Sequence, residues 1–151
     1  MTDVTDDVMS RVGEAMGVAR HDPGGARALF ATLWDEVGAD GDPFHRVAIA
    51  HALADLQDDA HDELTWDLRA LAAAELLTDE RAAAGGVTTS VAAFYPSLHL
   101  NVADAYLRLG DTMLATHHAA LSRAALPSLP PDPYRTQIEQ ALTRIETALS
   151  S

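Results

Sequence analysis

At 151 residues, 48% of them apolar, the chain is long enough for one sizeable core, and no apolar run approaches the roughly 20 residues of a membrane span. Cysteine and lysine are absent and all ten basic residues are arginine, which excludes disulfides, thiol chemistry and Schiff bases. A formal net charge of −13 argues against nucleic acid and anionic membranes, since phosphate binding needs a basic footprint, but it allows a cationic ligand or a basic protein segment.

The acidic start, MTDVTDDVMS, has neither the basic head nor the apolar core of an export signal, so a cytoplasmic location is expected. Val4, Val8, Val12, Ala15, Met16 and Ala19 recur at helical spacing and predict a first helix ending at His21. Asp22-Pro23 then opens a second, because a capping carboxylate followed by proline suits a helix start. Its apolar face is Ala26, Leu29, Phe30, Leu33, Trp34 and Val37, closed by Gly38. Asp42-Pro43 repeats the start signal for a third helix, about 43–56, which is apolar around more than half its circumference and so is expected between neighbours. A fourth helix is predicted over about 60–77, carrying Leu64, Trp66, Leu68 and Leu71. The pattern breaks next: Thr78-Asp79-Glu80 can cap one short turn, Gly85-Gly86 is a joint, and Pro96 kinks or restarts the helix around it. Two helices follow, joined at Leu109-Gly110-Asp111, and after a Pro-rich linker Asp132-Pro133 starts a last helix with one apolar stripe and one wholly polar face. Nothing alternates with period two, so no sheet is expected.

The 94–127 stretch combines small residues, Tyr106, the Leu-Gly-Asp turn, Ala115 and Ala119 on its second helix, and Pro127 after it. In this it resembles a tetratricopeptide-type (TPR-like) repeat. Ala50, Leu53, Leu56, Trp66 and Arg69 stand in the same order as Ala103, Tyr106, Leu109, Ala119 and Ser122, and Ala26, Phe30 and Leu33 match in part. Gln57 stands where the turn glycine would be, and Asp62 where the second helix would have a small residue. The resemblance implies an all-α fold: one domain made of a right-handed stack of antiparallel hairpins over about 3–38, 43–77 and 88–126. Residues 75–93 read as an insertion, and a helix over about 132–149 caps the open end. The alternative architecture is a plain helical bundle.

In such repeats the first helices line a concave groove. The resemblance places Phe44, Val47, His51, Ala54 and Asp55 there from one unit, and Ser97, Leu100, Asp104, Leu107 and Arg108 from the next. His51 with Asp55, and Asp104 with Arg108, have the i, i+4 spacing that shares a helix face; both are read equally as ordinary ion pairs. By the same alignment His51 would lie beside Asp104, and Asp55 beside Arg108. His99, among apolar neighbours, is read as a packed histidine that is also poised for acid–base work, and His117-His118 as surface or interface residues.

Asp55, Asp58, Asp59, Asp62, Glu63 and Asp67 form an acidic run with His51 and His61. Its spacing is not that of a calcium loop, and such a run more simply caps and charges a helix start, so no metal and no cofactor are called for. There is no phosphate loop, nucleophile elbow or HExxH motif, and Ser97 and His99, two apart on a helix, do not face each other. The function expected is a TPR-like binding module for a protein segment or small molecule. The alternative is a small enzyme or pathway-specific ligand-binding protein using His51, Asp55, His99 and Asp104 in a helical pocket.

Overall fold

The computed structural model describes residues 6–151, so Val4 and the expected start of the first hairpin at residue 3 lie outside the described residues. Among those described there are eight α-helices and no strand. Contacts divide the chain into two compact units, Met1–Ala73 and Ala74–Ser151.

The first unit holds α1 (Asp7–Ala19), α2 (Pro23–Val37), α3 (Pro43–Asp55) and most of α4 (Ala60–Glu75). Three aspartates set the starts of α1 to α3. Asp6, Asp22 and Asp42 accept hydrogen bonds from the backbone N–H groups of Met9, Gly25 and Phe44 at 3.0–3.1 Å. Pro23 and Pro43 occupy first-turn positions where a missing N–H is no loss. Gly38 ends α2 at φ 77°, a backbone conformation that side-chain-bearing residues rarely adopt. The core joins Val12 and Ala15 of α1, Phe30 and Leu33 of α2, and Ile49 and Leu53 of α3, with Trp34 and Trp66 against its edge. Those two indoles meet edge to face at 5.1 Å, and each carries an arginine: Arg46 lies 4.1 Å above Trp34 and Arg69 lies 4.4 Å above Trp66. The Arg46–Trp34 contact ties α3 to α2, and the indole pair ties α2 to α4.

In the second unit, Thr78 caps the short α5 (Asp79–Ala84), and the Asp79 carboxylate accepts from the Val91 N–H at 2.7 Å. This bond closes the segment read as an insertion. A single 3-10 turn, Val91–Phe94, leads into α6 (Tyr95–Arg108), where Pro96 sits in the first turn and restarts the helix rather than kinking it. The α6 terminus is a Schellman motif. Gly110 adopts φ 84°, its N–H donates to Leu107, and the Asp111 N–H reaches back to the Tyr106 carbonyl. Asp111 then caps α7 (Thr112–Ala125) through the Leu114 N–H. Ala103 and Ala115 are fully buried within the α6–α7 hairpin, where no large side chain holds the backbones apart.

After a 3-10 turn at Leu126–Ser128, α8 (Pro133–Ser150) starts at an Asp132 cap and lays Ile138, Leu142 and Ile145 across α6 and α7. Its polar face is mostly in water; Glu146 forms a two-pronged pair with Arg123 at 2.7–2.8 Å, and Arg135 donates to the Leu129 carbonyl at 3.2 Å.

Candidate functional site

Within the first unit α1 and α3 run side by side in the same direction. The His45 ring near the start of α3 meets Asp6, the cap of α1, at 2.8 Å, while Ala19 and Leu56 line the same groove towards the other end. Between the two helices lies an open groove of about 370 Å³. One wall is Met9, Val12, Met16 and Ala19, a stripe at helical spacing on α1. The other is Ala48, His51, Ala52, Asp55 and Leu56, and Phe30 of α2 forms the floor. The space exists because α3 offers alanine at two positions where larger side chains would fill the gap.

His51 and Asp55 are therefore on one face and at one groove, with Nε2 3.9 Å from the carboxylate. Their side chains are 43% and 69% exposed, so the pair is a weak surface contact, worth at most about 1 kcal/mol. The His51 Nδ1 is buried and has no hydrogen-bond partner among the described residues. The ring edge that carries Nε2, on the half-exposed side of the imidazole, is the part of His51 open to an incoming group. Phe44 and Val47, expected on the same surface, are both buried and are not among the residues lining the groove.

A comparable cleft of about 360 Å³ lies in the second unit between α6 and α8. Leu100, Asn101, Asp104 and Leu107 face Ala141, Arg144 and Ile145 across it. Arg108 donates from Nε to the Asp104 carboxylate at 3.0 Å, on a surface where both side chains are more than 40% exposed.

His99 points elsewhere, towards α7. Its Nδ1 lies 3.0 Å from the Nδ1 of His118, with the ring centroids 5.2 Å apart, so the two imidazoles meet edge to edge through those nitrogens. One must donate and the other accept, which requires at least one neutral ring. Tyr95 lies beside His99, while Tyr106 and His117 flank His118. Burial, followed by the neighbouring His117, lowers the His99 pKa. Burial, then His99 and His117, pushes that of His118 down from 6.5 to about 4. The sequence reading missed His118 as a partner. The signal lay in the hairpin itself: His99 stands about three turns before Gly110 and His118 about two turns after it, and antiparallel helices joined by a short turn bring such positions within reach.

A pH dependence follows with a definite sign. Between the ordinary value and about 4 the unfolded chain takes up a proton that folded His118 does not. Stability from this source is full above pH 6.5, falls as pH drops through that window, and levels off below it. In His118→Phe the fall should be shallower, as read by urea denaturation at a series of pH values. An unchanged slope would mean that the pair carries no proton linkage.

Among the described residues no three His, Asp or Glu side chains converge as a metal site, and no helix is long and apolar enough to cross a membrane. No family model, curated protein or solved structure matches the chain.

Proposed function

We propose that this chain is a binding module of TPR-like build, and that its ligand surface is the groove between α1 and α3. The observation that carries this reading is the groove itself: an open, mostly apolar cleft with Phe30 beneath it and His51 and Asp55 in one wall. Such a surface suits the apolar side chains of a partner segment or a small molecule, with a few polar groups to orient it. The helix packing supports the TPR-like build. In the first unit α1 touches α2 and α3, and α2 touches α3; in the second, α6, α7 and α8 make the same triangle. Each triangle leaves its cleft between the first and third helix. Met9 and Met16 add an adaptable, polarisable lining of the kind that accepts varied apolar shapes.

Methyl-labelled methionine gives a direct test, since Met9 and Met16 line the groove while Met113, 81% exposed on α7, does not. Titration with indole and with 2-naphthol should move the Met9 and Met16 signals saturably and leave Met113 in place. Met16→Glu should abolish the effect with helix content unchanged. Signals from Met9 and Met16 that stay fixed with both probes would overturn the reading.

A further inference from the structure

We infer that the occupant of the α1–α3 groove is an amphipathic helix of a partner protein, apolar on one face and rich in arginine or lysine beside it. This rests on the groove being the binding surface and adds the chemistry of what fills it. Length and shape point to a helix. The α1 wall runs from Met9 to Ala19, about 15 Å at helical rise, or nearly three turns. That span seats side chains spaced i, i+3, i+7 and i+10 along one helix face.

Backbone chemistry points the same way. Both walls are helices whose N–H and C=O groups are satisfied internally, so the groove offers no strand edge. An extended segment pressed into it would bring unpaired backbone groups against methionine, valine and alanine. A helix pairs these groups internally everywhere but in its first and last turns.

Charge selects the sign of the partner. Of the net −13, residues 1–73 carry −10, from fifteen acidic side chains against five arginines, and residues 74–151 carry only −3. Several of those arginines are already engaged: Arg11 by Glu36 in a two-pronged pair, and Arg27 by the Leu56 carbonyl and Asp58. Arg46 and Arg69 lie over the indoles. The negative field also has a direction along the groove. Because α1 and α3 run the same way, both place their negative dipole ends at the Ala19–Leu56 end. Neither has a basic residue in its last turn, although Arg20 follows α1 and Arg27 of α2, itself paired with Asp58, donates to the Leu56 carbonyl at the end of α3. Asp55 stands at that end with its side chain 69% exposed, and exposed Asp59 follows in the next turn. The partner's basic residues therefore lie towards Asp55, and its apolar stripe lies along Met9, Val12, Met16 and Ala52.

The test uses the full-length protein and three synthetic peptides, each about four turns long. The first has a leucine stripe flanked by arginine, the second has the same stripe flanked by glutamine, and the third has the first peptide's composition with the stripe scrambled. The arginine-flanked peptide should move the Met9 and Met16 methyl signals, spare Met113, and bind at least about tenfold more tightly at low salt than the glutamine-flanked one. Asp55→Asn should narrow that difference, and an undiminished difference would overturn Asp55 as the contact that selects the basic partner. Equal binding of the first two peptides would overturn the choice of a basic partner and leave the groove as the binding surface. Equal shifts from the scrambled peptide would overturn the helical stripe, since charge alone would then account for binding. If no peptide moves Met9 or Met16 while indole does, the helical occupant falls and the groove reading stands. If indole also fails, both fall together.

Discussion

Deleting residues 132–151 is expected to unfold the second unit rather than merely to loosen it. The deletion removes Ile138, Leu142 and Ile145, which are 7%, 0% and 5% exposed, together with the Arg123–Glu146 pair. Each such side chain contributes about 1.5–3 kcal/mol when buried, and a whole domain is commonly stable by only about 5–15 kcal/mol. Leu100, Ala103, Ala119 and Leu126 would be uncovered in one patch, a surface large enough to drive association. Circular dichroism and sedimentation of the truncated chain should show lost helix beyond the deleted residues, and aggregation. A monomer with undiminished cooperative unfolding would mean that α8 adds nothing to this core.

The largest effect of a single substitution is expected at Phe30. It is 1% exposed, belongs to the core shared by α1, α2 and α3, and also floors the groove. Phe30→Ala should cost about 3–5 kcal/mol, combining lost transfer free energy with the cavity left behind. Urea denaturation reads this directly as a lower midpoint. A loss under about 1 kcal/mol would show that the side chain does not bridge the three helices. Phe30→Leu is the milder companion: it should keep the fold, deepen the groove, and alter the affinity for indole.

Much of the local structure was legible because it depends on residues close in sequence. Asp22-Pro23, Asp42-Pro43 and Asp132-Pro133 each start a helix with the aspartate as cap, and Gly110 with Asp111 makes the α6–α7 turn. His51 with Asp55, and Asp104 with Arg108, were legible for the same reason, since i, i+4 spacing fixes a shared face. What escaped depends on which helix each face meets. Met16 read as part of an ordinary core stripe and Met9 was not singled out at all; nothing in α1 says which of its apolar residues look across at α3. Arg46 carried no sign of the indole beneath it, because Trp34 sits on another helix, whereas Arg69 and Trp66 share α4 at i, i+3 spacing. His118 looked like one of two adjacent surface histidines until α7 folded against α6 and brought it to His99. Phe44 and Val47 illustrate the same limit. The helix they share with His51 is apolar around most of its circumference, so periodicity alone does not separate a groove-facing side chain from a core-facing one.

The most direct test of the account is to map intermolecular methyl contacts by nuclear Overhauser spectroscopy on the full-length protein with the arginine-flanked leucine peptide. Contacts are expected from the methyls of Met9, Val12, Met16 and Ala52 to the peptide leucines, with the peptide's arginines ordered on the Asp55 side. Contacts confined to Leu100, Leu107 and Ala141 of the other cleft, or to exposed Met113 and Leu114, with none to Met9 or Met16, would contradict it.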